Sequence, residues 1–436
     1  MERIAAISNQ LAGKRIWFLY WCGLLQLADV MTFSFVANKS ILDKNPDDVV
    51  IVDAVRTPIA KANRGGYKDM LAEELLAVVL KALLDRNPKL SPTLIEDIQV
   101  GSVTGELGGS HKANRMAQIT AGVPWTASMA TTNRQCASGL QACQNIAAEI
   151  RSGQIEIGIG AGAESMTIGY KNRNMPTVVS PALNQHPVAK EMLMPMGLTS
   201  ENVAKEYGVT RREQDIYAER SNRLAAKAQA EGWFDEEIVP VTASIKDKDG
   251  KQKALVVSKD EGVRGDTTLE SLSKLKPSFT KDGTTTAGNA SQLSDGAAAV
   301  LMMKRSTAER LGLQIKGKFI AYAFASVPPR VMGIGPAFAV PKALSLAGIS
   351  IKDVDIFEIN EAFASQLAYC ARELGIPQEK VNPSGGAIAL GHPVGMTGAR
   401  QIATLLGGLK RSGGKIGVTT MCAGTGMGAA SVIVRE

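Results

Sequence analysis

From Asp47 onward, short apolar runs alternate with stretches whose apolar residues recur every three to four positions. Val49-Val50-Ile51-Val52 reads as a buried strand. A helix is expected over about Met70–Arg86, with Leu71, Leu75, Leu76, Val79 and Leu83 along one face. The same alternation continues to the C-terminus and predicts a layered α/β architecture. Two stretches break the pattern. Residues 1–46 are compositionally foreign to the rest, and Ile16–Val36 is a mostly apolar run of 21 residues interrupted by Gln26 and Asp29. Its length would allow a membrane span, but Asp29 would be costly there. A leader outside the fold, or a retained intron in the gene model, fits better. The second break, Thr167–Thr286, is rich in Lys, Glu, Asn and Pro and holds one long amphipathic helix near Arg211–Glu231. It reads as an inserted polar domain over the mouth of a site.

What remains is duplicated. Lys81-Ala82-Leu83 and Lys342-Ala343-Leu344 each lead to an acidic strand start, Asp97-Ile98-Gln99-Val100 and Asp353-Val354-Asp355-Ile356. Cys136 follows Asp97 by 39 residues and His392 follows Asp353 by 39. Each opens a helix ending in Arg-Ser-Gly, at 151–153 and 411–413, and a strand follows, Ile155–Ile159 or Lys415–Thr420. Gly162 and Cys422 then stand at matching distances from those glycines. The division expected is a leader at 1–46, one half at 47–166 plus about 287–315, an insert at 167–286, and a second half at 316–436. Two copies packed about a pseudo-twofold axis would bring Cys136 and His392 together across 256 residues of sequence.

Composition narrows the chemistry. The 436 residues are 45% hydrophobic and 21% charged, an ordinary globular balance. The net charge of +7 permits an acidic ligand such as a phosphate-bearing cofactor. Without dense Lys/Arg runs interleaved with aromatics, nucleic-acid binding has no support. Five cysteines without CxxC spacing argue against a disulfide framework or a cysteine zinc site. Cys143 and Cys370 fall on helical apolar stripes and read as inert core thiols.

Cys136 precedes the stripe Leu140, Cys143, Ile146, Ala147, Ile150, and so sits near a helix N-terminus. Free amides and the helix dipole there are expected to lower its pKa. His392, among Gly385, Gly386, Gly391, Gly395 and Gly398, is placed to take the thiol proton. His111 and His186 lack such a setting and read as structural. Cys422 opens Cys-Ala-Gly-Thr-Gly after an apolar strand, and the Gly424 amide is suited to an oxyanion. Asn360 and Glu361 end another strand, with Glu361 expected to orient the turn. Gly158-Ile159-Gly160-Ala161-Gly162 has the look of a dinucleotide fingerprint but lacks its context, so a nicotinamide cofactor is not expected.

At these residues the chain resembles the thiolase family. NRQCASGLQA (133–142), TTTAGNASQLSDGAAA (284–299), PRVMGIGPAFAVPKAL (329–344), NEAFASQ (360–366), GGAIALGHPVGMTGAR (385–400) and CAGTGMGAA (422–430) are similar to its signature blocks, nearest its peroxisomal 3-ketoacyl-CoA branch. The resemblance implies a five-layered αβαβα sandwich of two duplicated halves, usually dimeric. It implies Cys136 as acylated nucleophile, His392 as its base, and Cys422 as the acid/base at the substrate α-carbon. Asn360 would hold a water in one oxyanion site with His392; the amides of Cys136 and Gly424 would form the other. Ser291 and Phe363 would contact substrate, and the insert would carry most of the CoA surface. Acyl-CoA and CoA are the implied ligands, CoA as a substrate and with no metal or redox cofactor. The implied reaction is thiolysis of 3-ketoacyl-CoA in fatty-acid β-oxidation. The alternative is a biosynthetic acetoacetyl-CoA thiolase, and more distantly a non-catalytic, membrane-tethered acyl-CoA-binding protein. Met396 stands where that branch commonly has cysteine, and Ala137 where serine is frequent. Arg3-Ile4, five residues, then Gln10-Leu11 fits the branch's peroxisomal signal, implying an import receptor as partner. Cytosol or mitochondrion is the alternative location.

Overall fold

A computed structural model describes residues 40–104, 110–171, 179–246 and 249–436. The run Ile16–Val36 and the pattern Arg3…Leu11 lie outside the described residues. Among the described residues no helix is long and apolar enough to cross a membrane.

Counting strands of four or more residues and helices of ten or more, the chain begins with β1 (Val49–Arg56), α1 (Ala72–Arg86), β2 (Asp97–Gly101) and α2 (Ser110–Thr120). β3 (Ser128–Thr132), α3 (Ser138–Arg151) and β4 (Ile157–Ser165) follow. The next segment carries α4 (Met196–Glu206), α5 (Arg211–Ala230) and a hairpin of β5 (Val241–Lys246) with β6 (Gln252–Val257). β7 (Ser294–Lys304) rejoins β4 and β1. After it come β8 (Gly317–Ser326), α6 (Gly335–Ala347), β9 (Ile356–Ile359), α7 (Ala364–Glu373), α8 (Thr397–Ser412), β10 (Ile416–Ala423) and β11 (Met427–Arg435).

The strand order β3-β2-β4-β7-β1-β8-β11-β10-β9 reads the same from either end. β1 and β8 meet at the centre through only two residue pairs, Val50 with Lys318 and Ile51 with Gly317. Where the first half has β3 beside β2, the second has a single bridge, Phe357 to Val381. Central strands are buried on both faces, which explains their continuous apolar runs. Val49 and Ile51 of β1 pack with α3 and α8, while Val50, Val52 and Val55 pack with α1. The layers are therefore outer helices, sheet, the central pair α3/α8, sheet, and outer helices, with α6 and α7 covering the far side.

The duplication is real, but its register differs from the one read off the sequence. Short 3₁₀ turns at Pro92–Leu94 and Ile351–Asp353 correspond, as do Asp97 with Ile356 and Ile157 with Ile416. Glu96 accepts hydrogen bonds from the amides of Glu156 and Ile157 at 2.6 and 3.2 Å; Asp355 accepts them from Lys415 and Ile416 at 2.7 and 2.9 Å. In this register the counterpart of Cys136 is Gly395, not His392, and Cys422 matches Ala163 rather than Gly162. Asp353 misled because it lies in the 3₁₀ turn before the strand. The Arg-Ser-Gly landmarks misled because α8 runs longer than α3.

The glycines of β4 explain a second pattern. Ile157, Ile159, Ala161 and Ala163 face α1, while Gly158, Gly160 and Gly162 face the central helices. A Cβ on Gly160 would stand 2.5 Å from the Cys143 Cα, and one on Gly158 2.9 Å from Ile146. The run is a mid-strand contact surface, not a phosphate turn. Gly160→Ala should therefore cost about 1–3 kcal/mol through overpacking. Urea unfolding would measure it, and an unchanged midpoint would contradict the packing account.

Candidate active site

β3 hands over to α3 through a turn whose backbone is held by its own side chains. Asn133 Oδ1 accepts the Gln135 amide at 2.9 Å, and Ser138 Oγ accepts the Arg134 amide at 2.9 Å while donating to the Gln135 carbonyl at 2.5 Å. Gln135 is thereby kept at φ +50, a left-handed conformation that a non-glycine residue adopts at a cost. The result thrusts Cys136 out just before the first turn of α3. Its own amide and that of Gly424, from the other half, lie close enough to the sulfur to favour its charged form.

Those two donors favour a thiolate, yet burial outweighs them. It pushes the Cys136 thiol up to about 11, helped slightly by the charge of Glu164. The expectation of a lowered pKa, based on the helix end alone, is corrected. Cys136 rests as a neutral thiol and needs a base.

His392 is buried at 5% exposure on the turn before α8. Thr397 Oγ1 donates its one proton to the Pro393 carbonyl at 2.8 Å, so at 2.7 Å it must accept from His392 Nδ1–H. That fixes the proton on Nδ1 and leaves Nε2 as the basic nitrogen. Asn360 Nδ2 lies 3.3 Å from Nε2. Burial, with the Arg400 charge adding to it, drives the His392 pKa down to about 3. Both groups are thus neutral over the ordinary pH range.

Cys422 ends β10, wholly buried among Met332, Ala362 and Phe363. Burial holds its thiol well above the ordinary range, and the nearby sulfur of Cys136 pushes in the same direction. Asn360, 1% exposed, hangs from the end of β9, its amide bonded to the Thr420 carbonyl at 2.8 Å. No protein group partners its Oδ1. Ser291 donates to the Ala362 carbonyl at 3.0 Å, tying its loop to the Asn360–Phe363 turn. Phe363 meets Phe279 edge-on, ring centres 6.3 Å apart. Of the residues singled out in the sequence, Cys136 and Gly424 are joined directly, as are Asn360 and His392, while Cys422 and Phe363 share one apolar cluster.

Glu361 points away from the reacting groups. It accepts from Ser221 Oγ, Asn382 Nδ2 and the Ile388 amide at 2.5, 2.8 and 3.1 Å, and so orients the turn as expected. His186 accepts the Val188 and Ala189 amides at 3.2 Å, and His111 lies 3.5 Å from Thr131 Oγ1; both are remote from these contacts. Cys143 and Cys370 are buried against the carbonyls of Gly160 and Gly333. Met396 is fully buried, and a Cβ on Gly296 would stand 2.7 Å from its sulfur. Sequence reasoning missed Thr397, Arg400 and Glu164. Glu164 had a signal: it is the one charge in the otherwise small and apolar strand Ile157–Ser165.

A groove of about 580 Å³ opens beside this constellation. Ser291, Phe279 and Ala290 form part of its wall, and Lys61, Arg64 and Arg264 give it a positive rim. A phosphate-bearing ligand suits that combination.

Comparison with known proteins agrees over nearly the whole chain. Residues 49–306 match the description "Thiolase, N-terminal domain", and 313–435 match "Thiolase, C-terminal domain". The chain is 55% identical over 386 residues to a peroxisomal 3-ketoacyl-CoA thiolase B of Rattus norvegicus, covering 88% of this chain and 90% of that one. The dimeric peroxisomal thiolase of Saccharomyces cerevisiae superposes with a TM-score of 0.84 at 46% identity, over 91% of this chain and 99% of that one. A second structure of the yeast peroxisomal 3-ketoacyl-CoA thiolase is described as five-layered α-β-α-β-α, built from two core domains of identical topology. It matches with a TM-score of 0.75 at 42% identity, over 91% of this chain and all of that one. The fold here is that five-layered sandwich.

A resting pair of neutral groups has a consequence in solution. Alkylation of Cys136 by iodoacetamide should accelerate with pH toward about 11 and show no plateau near pH 7–8. A plateau at neutral pH would reveal a resting thiolate–imidazolium pair and contradict this electrostatic account.

Proposed function

The chain belongs to the thiolase family, and from that premise we propose that it cleaves 3-ketoacyl-CoA with CoA to acetyl-CoA and a shortened acyl-CoA. The observation that carries the reading is a cysteine at a helix start beside Gly424 of the other half, together with His392 held by Thr397 at 2.7 Å and Asn360 3.3 Å from its Nε2. In this reading the amides of Cys136 and Gly424 turn to the oxygen of the attacked carbonyl, where the oxyanion of a tetrahedral intermediate develops.

In this reading Cys136 Sγ passes its proton to His392 Nε2 and attacks the C3 ketone of the substrate. The ketone oxygen takes the developing charge. Collapse of the intermediate breaks the C2–C3 bond, leaving the acyl group on Cys136 and the departing acetyl-CoA as an enolate. Cys422 donates a proton to its α-carbon, with Asn360 and His392 supporting the enolate oxygen. A second CoA thiol then gives its proton to the Cys422 thiolate and attacks the acyl group, and the departing Cys136 sulfur regains the proton held on His392. The raised pKa of Cys422 suits this role, because a thiol that stays protonated can give its proton to a carbanion. The groove lined by Ser291, Lys61, Arg64 and Arg264 supports CoA as the shared handle of substrate and acceptor.

A homodimer is the assembly we favour. β3 pairs on one side only, with β2, and an open strand edge is a ready site for pairing with a second copy. Exposed Trp125 and Met116 stand next to it in sequence. Peroxisomal residence is supported by the names of the relatives and by the Arg3…Leu11 pattern, and an import receptor would be the partner for that step.

Two variants test the reading. Cys136→Ser should lower thiolysis of short and long 3-ketoacyl-CoAs by at least ~1,000-fold while leaving the fold intact; near-normal turnover would refute it. Cys422→Ser should still accept an acyl group at residue 136 but lose exchange of the acetyl-CoA α-protons in D₂O. Normal exchange in that variant would remove Cys422 from the mechanism.

A further inference from the structure

Glu164 lies at the end of β4, fully buried, and the chemistry above does not use it. Its carboxylate is nevertheless surrounded by donors. The amides of Val103, Thr104 and Gly395 reach it at 2.9, 3.0 and 2.9 Å, and Thr104 Oγ1 donates a further short hydrogen bond. Val103 and Thr104 belong to the loop after β2 in the first half; Gly395 belongs to the His392 turn of the second. Burial raises the Glu164 pKa, and these four donors oppose that shift by holding the carboxyl oxygens in place.

The contact admits no slack. A Cβ on Gly395 would stand 2.7 Å from Glu164 Oε2 and 2.8 Å from the Gly101 carbonyl. Glu164 is also close enough for its charge to be felt at Cys136. In the structural register of the two halves, Glu164 matches Ala423 and Gly395 matches Cys136. The contact of Glu164 with Gly395 thus lies one residue from the symmetry mate of the approach of Gly424 to Cys136. One crossing of the pseudo-twofold serves the nucleophile; the other serves a clamp.

We propose that Glu164 is a positioning residue, whose carboxylate docks the His392–Gly395 turn onto the nucleophile-bearing half and so sets the approach of His392 to Cys136. This inference rests on the Cys136/His392 pairing proposed above. Glu164→Gln keeps the size but swaps one acceptor for an NH₂ that must face an amide hydrogen. A misplacement of about 1 Å at a reacting pair can cost roughly 100-fold. The variant should lose about 10- to 100-fold in kcat with KM for CoA changed less than about twofold.

Iodoacetamide alkylation of Cys136 between pH 7 and 10 separates positioning from general damage. If Glu164 acts through the base, the deficit of Glu164→Gln should shrink steadily as hydroxide replaces His392, and His392→Ala should behave alike. A deficit that stays constant or grows with pH, or a normal kcat, would overturn the inference. If His392→Ala itself alkylates at the normal rate, the pairing fails instead. Should Glu164→Gln not fold, Thr104→Val removes one donor from the far side of the clamp. It is expected to show the same pH-dependent deficit at a smaller size, and wild-type behaviour in it would count against the clamp.

Discussion

Everything at the centre of this protein depends on how closely α3 and α8 approach. A Cβ on Gly139 would stand 2.6 Å from the Gly395 carbonyl and 3.1 Å from the Ala399 amide, and one on Gly398 would overlap the Leu140 amide. The contacts are reciprocal, residue for residue, across the pseudo-twofold. Only glycine at both positions lets two helix starts meet backbone to backbone. Because they meet there, the turn before α3 and the turn before α8 share one small volume. The turn carrying Cys136 and the turn carrying His392 come together for that reason, although each belongs to its own half.

That same closeness sets the electrostatics. Sealing the two turns against each other removes water, and the desolvation moves Cys136 up and His392 down. The resting site therefore carries no ion pair between them. In the proposed reaction, charge would develop only when a substrate carbonyl offers a place for it, at the amides of Cys136 and Gly424. Buried charges lie farther out. Arg400 approaches Glu358 at 3.6 Å, and Arg56 bonds Asp260 and Glu237 at 2.6–2.9 Å. They fix the scaffold without neutralising the reacting groups.

Much of this was legible in the chain. The two-face burial of the strands follows from their apolar runs, and the duplication from repeated landmarks. Cys136, His392, Cys422 and Asn360 stand out because reactive side chains sit at Gly-rich strand or helix ends. The exact register was not legible, since an aspartate in a 3₁₀ turn looks the same in sequence as one opening a strand. The pKa of Cys136 was not legible either, because a helix end announces itself locally while burial is a tertiary property. Thr397 acts through a backbone carbonyl, which carries no sequence signature, while Glu164 showed only as a lone charge in a small, apolar strand whose backbone partners the sequence does not reveal. Family resemblance named the chemistry; the structure shows why two turns distant in sequence come together.

The central claim is that one sulfur, held by amides from both halves, receives the acyl group. The direct measurement is peptide mass spectrometry after mixing the full chain with a 3-ketoacyl-CoA in the absence of free CoA. The account predicts a single acyl adduct on the peptide containing Cys136, discharged when CoA is added. An adduct on Cys422 or another residue that CoA discharges equally well, or turnover with no adduct at Cys136, would contradict it.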